Sequence, residues 1–415
     1  MKVKKLSSAF VSLILALGLV VIPNSAANAV VEITYSNWQF AEPGRGDKLK
    51  ALVEEFNVSQ NKIRVKTVVY PYASYANTII TQMGAKSGPD VVHLDYDVFL
   101  RANQARLLAP TVVKAPKSGF ADADKNFIKS GKRYGIVWLS TGYLLICNKK
   151  LLTAAGVTCP KTYEEFKAAA AATTNPTTGQ YGYAFRNTMN QTSGWWYDLS
   201  NFVYGFGGRW TDAKGNPTIN SPLVEKAVTE YKDFYDKKYV PQGITATEYR
   251  RMFWEEKIAM TLDNDSLPGI YITGNASIKE NLVIQKSPFP KDAHSLILIG
   301  VSVNANSKKK KEATQFLNWM ASDAIQAKIV DALGSSSGGS KKALPTALLE
   351  RAPYLAEYQK YAKNGVLILP QGAELATNEI QTIVLTQIDK ILRTGVSVKD
   401  GLDAAQTAVK DLLGK

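Results

Sequence analysis

The sequence predicts an α/β fold with more than one hydrophobic core, and three observations carry that prediction. The chain has 415 residues, enough for two or three cores of ordinary size. Strand-like and helix-like segments alternate over its early part, the pattern of a parallel sheet covered by helices. The composition is globular, with 45% hydrophobic residues, which excludes a disordered chain, a collagen and a disulfide-stapled miniprotein. Two histidines leave almost nothing to build a zinc site from, so neither metal nor cofactor is expected. The formal net charge of +14 opens three partner classes: nucleic acid, a membrane surface or an acidic ligand.

Residues 1–29 read as a secretory signal. Lys2, Lys4 and Lys5 form a basic start, Phe10–Ile22 is an apolar run, and Ala27-Asn28-Ala29 is a small-x-small cleavage site. The run is too short for a comfortable membrane span, and no later stretch reaches about 18 apolar residues. Loss of the three lysines takes the charge from +14 to +11. No cysteine lies near the cut, so the expectation is an exported protein without a lipid anchor. In an oxidising compartment Cys147 and Cys159, the only cysteines, are either a disulfide or two separate buried thiols.

Val31–Ser36 alternates and reads as the first strand. Leu49, Leu52, Val53 and Phe56 share one face of a helix over Asp47–Phe56. Ile63–Tyr70 is β-branched and gives a second strand, Tyr75–Met83 a second helix, and Pro89–Leu94 a third strand. Ligands of such sheets bind beyond the carboxyl ends of the strands. The loops there are 37–46, 71–74 and 95–98. Tyr134–Cys147 reads as extended, interrupted at Ser140, Thr141 and Gly142. Thr162 and Glu165 form a capping box that starts a helix. Gly179–Phe185 reads as a strand, and Asn187–Trp210 as an aromatic, Gly-containing segment without an amphipathic stripe. Helices are expected at Pro222–Tyr235 and Ala246–Glu256, and strands at Ile258–Leu262 and Leu296–Val303. Lys311–Met320 and Ser322–Leu333 are helical, Gly334–Lys342 is a Ser/Gly-rich loop, and helices follow at Ala343–Lys363, Glu374–Leu392 and Val398–Leu413.

Six stretches in this order resemble the bacterial extracellular solute-binding proteins of ABC importers, the group that includes maltose-binding protein. They are Ile33–Trp38, Tyr75–Asp95, Ser140–Phe166, Glu255–Asp265, Ser302–Ser322 and Thr394–Val409. The resemblance covers nearly the whole chain after the leader. Cys147 replaces the family's usual Tyr, Tyr163 its Trp, and Ser266 a Trp that serves maltose-type members as a stacking platform. The family implies two lobes joined by crossover strands, with a ligand cleft between them. Lobe 1 is expected over 30–138 and 296–340, and lobe 2 over 139–295 and 341–415. Crossings are expected near Tyr134–Thr141, Asp292–Leu296 and Leu344. The implied partners are a sugar ligand and ABC permease transmembrane subunits with a cytoplasmic ATPase, and the protein is expected to be a monomer.

Sugar binding has a physical signature. Aromatic rings cover the C–H faces of a pyranose, while carboxylates, amides and guanidinium groups take its hydroxyl rim. Candidate rings are Trp38, Phe40, Tyr72, Tyr96 and Trp138, with Trp195-Trp196-Tyr197 the strongest local run and at least one of Trp195 and Trp196 expected to face the cleft. Candidate rim residues are Asp95 and Asp97 after one strand and Asp263, Asn264 and Asp265 after another, with Thr141 and Gly300 on the crossover segments. The same acids and amides serve elsewhere as helix caps and turn formers. Trp254 and Trp319 lie on helical faces and read as core.

Two other readings compete. A glycan hydrolase needs two carboxylates about 5–9.5 Å apart, for which Asp95 and Asp263 are the candidates. A carrier for a phosphorylated polyol or another anion needs a basic residue in the cleft, for which Arg45, Arg186 and Arg209 are the candidates. The lysine run Lys308–Lys311 lacks interleaved aromatics and reads as a solvated helix start, so nucleic acid is not expected.

Overall fold

The computed structural model describes residues 30–42 and 44–415. The proposed signal segment, 1–29, lies outside them. Two separate sheets organise the chain. The first has six strands, in the order Gly365–Leu367, His294–Val303, Val91–Asp95, Val31–Ser36, Ile63–Val68, with Ile136–Gly142 also paired to His294–Val303. The second has four, in the order Leu282–Gln285, Leu144–Asn148, Ile258–Asp263, Tyr181–Ala184.

The three early strands are parallel, as the strand–helix alternation requires. His294–Val303 runs antiparallel to both Val91–Asp95 and Ile136–Gly142. The sheet is therefore mixed, not wholly parallel, because a later segment returns through it in the opposite sense. In the second sheet Leu144–Asn148 is antiparallel to both its neighbours, and only Tyr181–Ala184 and Ile258–Asp263 are parallel.

Only Tyr143 separates the Ile136–Gly142 strand of the first sheet from the Leu144–Asn148 strand of the second. The chain passes between sheets there, and returns between Gln285 and His294. Gly142 suits this crossing because a Cβ on it would lie 2.1 Å from Nε2 of the buried His294 ring. After Ser340, which bridges to Phe120 beside the first sheet, the chain adds the helices Thr377–Arg393 and Val398–Leu413. These pack against Thr192–Gly205 and Pro222–Asp236, on the side of the second sheet.

Two expectations change in the structure. Thr192–Gly205 is a helix with ten of its fourteen residues buried; Trp195, Trp196, Leu199, Phe202 and Val203 are fully so, and Asp198 is buried with them. A helix buried over most of its circumference shows little amphipathic stripe. The single helix expected over Ala343–Lys363 is two, Thr346–Arg351 and Leu355–Tyr361. Pro353 cannot donate to a helix and holds Ala352 out of helical geometry, at φ −136°. The capping box at Thr162 and Glu165 is formed, and a second, Thr245 with Glu248, starts the Ala246–Trp254 helix.

Cys147 and Cys159 form a disulfide with Cα atoms 5.9 Å apart. It ties a central strand of the second sheet to the loop before the Tyr163–Thr173 helix. Replacing both cysteines by serine is expected to cost about 2–3 kcal/mol, the range for a short closed loop. Thermal unfolding of the double variant with and without reductant checks this: its melting point should fall by several degrees and no longer respond to reductant.

Candidate functional site

A cleft of about 510 Å³ lies between the two sheets, with walls from both and a floor from the crossover strands. Its floor carries Leu139 and Thr141 from one strand and Ile297 and Ile299 from the other. Side chains alternate along a strand, so Ser140 faces away, toward a second cavity of about 1230 Å³.

The first wall begins where the Val31–Ser36 strand ends. The Asn37 side chain accepts from the Gln39 amide at 2.8 Å and starts a short turn over Trp38–Ala41. That turn sets Trp38 into an aromatic cluster, 5.3 Å from Tyr72, 4.8 Å from Tyr75 and 4.3 Å from His93 between ring centroids. Burial pushes the His93 imidazole well below its usual range, so the ring is neutral here. Gln39 Oε1 accepts from the Trp138 indole N–H at 2.8 Å.

Asp95 ends the Val91–Asp95 strand and directly precedes the Tyr96–Gln104 helix. It stands at the cap position but makes no capping hydrogen bond. Its carboxylate lines the cleft instead, beside the Tyr72 hydroxyl that hydrogen-bonds to it. Burial, and then the neighbouring Asp97 carboxylate, push the Asp95 carboxyl up to about 7. Asp97 itself pairs with Arg101 at 3.2 Å.

The second wall is built on two arginine–carboxylate pairs. Arg186, just past the Tyr181–Ala184 strand, donates to both oxygens of Asp198 at 2.7 and 2.6 Å. Asp198 lies on the buried Thr192–Gly205 helix. Arg250 pairs with Asp263 at 3.1 Å, and the Tyr249 hydroxyl donates to the same carboxylate at 2.6 Å. Both guanidinium groups line the cleft. Tyr143 and Tyr197 stack at 5.6 Å, 16° from parallel, beside them. Across the end of the cleft, Asp265 Oδ2 accepts from Ser335 Oγ at 3.0 Å and from the Ser336 amide and hydroxyl at 2.7 Å each.

Eight of the fourteen expected ligand-binding positions line the cleft and six do not. Trp38, Tyr72, Asp95, Tyr96, Asp97, Thr141, Asn264 and Asp265 line the cleft. Trp195 and Trp196 do not. Trp195 donates to the Tyr231 hydroxyl, and Trp196 stacks on Trp210 and donates to the Ile368 carbonyl. Their side chains point into the core from the far face of the helix, while Ser193, Gly194 and Tyr197 form its cleft face. Phe40 is core, edge-on to Tyr35 at 5.3 Å. Trp138 packs behind the cleft on His93. Asp263 is fully buried and serves Arg250 and Tyr249. Gly300 leaves room for Phe127, whose ring would lie 2.1 Å from a Cβ there. Asn264 lines the cleft, but its side-chain oxygen is taken by Ser266, at 2.6 Å from the hydroxyl.

The sequence reading did not single out Gln39, Tyr143, Ser193, Arg250 or Ser335, and it took Tyr197 only as part of the Trp195-Trp196-Tyr197 run; all six line the cleft. Ser193, Gly194 and Tyr197 are spaced i, i+1, i+4, one face of a helix. A helix assignment for the segment would have separated them from the tryptophans.

The family model for bacterial extracellular solute-binding proteins matches residues 41–327, more than half of the chain. A curated relative, the diacetylchitobiose-binding protein DasA of Streptomyces coelicolor, is 21% identical over 314 residues, 72% of each chain. The GacH receptor of Streptomyces glaucescens, solved unliganded and with acarbose, superposes with a TM-score of 0.78 at 21% identity, covering 93% of this chain and 99% of that one. An ABC-transporter solute-binding protein from Thermotoga lettingae bound with α-D-tagatose gives 0.77 at 18% identity, covering 92% and 100%.

Asp95 gives a pH test. An acid whose pKa is raised on folding adds no penalty below its unfolded value near 4, and destabilises the fold increasingly as pH rises to about 7. Asp95→Asn is therefore expected to melt higher than the parent at pH 8, with the gain shrinking toward pH 4. About 4 kcal/mol is the upper bound for a shift of this size. Paired melting curves across that range check it. With these walls and this match in hand, the chain belongs to the bacterial extracellular solute-binding protein family.

Proposed function

We propose that the protein captures a mono- or oligosaccharide in the interlobe cleft and delivers it to an ABC permease. The observation that carries this is the pairing of aromatic rings with polar groups on both walls. Trp38 and Tyr72 stand on one wall, and Tyr143 and Tyr197 on the other. Rings of this kind cover the C–H faces of a sugar, while Asp95, Gln39 and Gln191 offer hydrogen-bonding groups for its hydroxyls. The relatives point the same way, since their names record diacetylchitobiose, acarbose and tagatose as ligands.

The anion reading has less support. Arg186 faces Asp198, and Arg45 faces Glu42 at 3.5 Å. Arg209 lines the cavity behind the crossover strands. The hydrolase reading loses its second carboxylate, because Asp263 is buried in an ion pair.

The lobes are taken as 30–138 with 296–340, and 139–295 with 341–415. Closure brings them together on the sugar and removes water from the polar contacts. The closed monomer then docks on the transmembrane subunits, which a cytoplasmic ATPase drives. Residues 1–29 direct export.

A cognate sugar is expected to shift tryptophan fluorescence through Trp38 and to raise the melting point. At a hundredfold excess over Kd the stabilisation is about 2.7 kcal/mol. Trp38→Ala is expected to weaken binding by about 1 kcal/mol or more, the worth of a ring contact. A broad panel of mono- and oligosaccharides that produces neither response would rule the sugar reading out.

A further inference from the structure

Charge pairing around the cleft is nearly complete, and its two exceptions are informative. Glu42 faces Arg45, and Asp97 faces Arg101. Asp198 faces Arg186, and Asp263 faces Arg250. Asp95 and Asp265 line the same cleft, and among the described residues neither has a cation within ion-pair distance. They come from opposite walls, Asp95 from the end of a first-sheet strand and Asp265 from just past a second-sheet strand.

Neither carboxylate is used up by the fold. Asp95 makes no capping bond at its helix start. Asp265 receives its three donors on Oδ2, and none on Oδ1. A chain with fourteen surplus positive charges thus leaves two carboxylates unmatched at the one place where a ligand would sit.

We propose that the cleft is built for a sugar that carries a protonated amine, with Asp95 and Asp265 as the carboxylates that receive it. This rests on the sugar reading above and names the substrate class within it. Hydroxyl groups satisfy a carboxylate's lone pairs but leave its charge in place. An ammonium group does both, and a charge-assisted bond is about twice as strong as a neutral one. Burial and Asp97 disfavour the charged form of Asp95 in the empty cleft. A cation beside it reverses that balance. A phosphorylated or carboxylated sugar would meet two carboxyl groups with no paired cation to receive it.

The test is calorimetric titration of the full protein at neutral pH with three probes. They are the β-1,4-linked disaccharide of glucosamine, its di-N-acetylated form, and putrescine. The amine-bearing disaccharide is expected to bind about tenfold tighter than the acetylated one. Asp95→Asn and Asp265→Asn should each reduce that preference, read as the ratio of the two affinities in the same variant. Equal or tighter binding of the acetylated form by the parent protein overturns the proposal, and this comparison needs no variant to fold. Binding of neutral sugars alone overturns it while leaving the sugar reading intact. Binding of putrescine with no sugar bound at all overturns the sugar reading itself, and the proposal with it.

Discussion

The ladder between Ile136–Gly142 and His294–Val303 is the constraint on which the rest of the structure depends. One of these strands leads out of the first sheet and the other leads back in. Pairing them antiparallel from Leu296–Gly142 to Val301–Ile136 fixes both crossings with main-chain hydrogen bonds, which depend on no particular side chain. Strand alternation then assigns the two faces. Leu139, Thr141, Ile297 and Ile299 become the cleft floor. Ser140 turns away, and its carbonyl accepts from the Ser337 hydroxyl of the Ser/Gly-rich loop. The loop's sequence follows from that role. Small residues let its backbone and hydroxyls reach both Ser140 and Asp265.

The second wall depends on buried charge. Asp198 and Asp263 are 5% and 0% exposed, so each would be costly alone. A guanidinium in bidentate contact offsets much of that cost, and removing one partner of such a pair typically costs 3–5 kcal/mol. The two arginines are thus bound to the wall before any ligand arrives. Their presence in the cleft is a consequence of holding the Thr192–Gly205 and Ala246–Trp254 helices against strand ends. A count of basic residues near the site would read them as anion receptors. The carboxylates that neutralise them lie behind the surface, and only the structure shows them.

Much of the fold was legible because its signals are local. The Thr162–Glu165 box, the alternation at Val31–Ser36 and the apolar run at Ile258–Leu262 all became the elements expected. The site was legible where a strand end fixes it. Trp38, Asp95 and Asp97 follow strands of the first sheet and line the cleft, as the position of such loops implies. It was not legible on the Thr192–Gly205 helix. A helix buried over most of its circumference has little polar stripe to reveal its phase, so the Trp195-Trp196-Tyr197 run drew attention without showing that Tyr197, and not the tryptophans, faces the cleft. Asp263 and Asp265 show a similar limit. Both follow one strand and both are acids. Whether each turns to a buried arginine or to the cleft depends on Arg250 and Ser335, which come from elsewhere in the chain.

The chain's total charge and the cleft's charge have opposite sense, and the distances over which each acts explain how both hold. Surface charges are screened beyond about 8 Å at physiological ionic strength. The many lysines sit on exposed helix faces, often paired along the helix, as Lys399 is with Asp403 and Lys237 with Asp233. They contribute little to the potential inside a partly enclosed cleft. There, the dielectric is lower and unmatched groups dominate. Two carboxylates on facing walls therefore outweigh a large positive surplus spread over the surface. The net charge of the sequence describes how the protein meets its surroundings. The ligand proposed for it would meet Asp95 and Asp265.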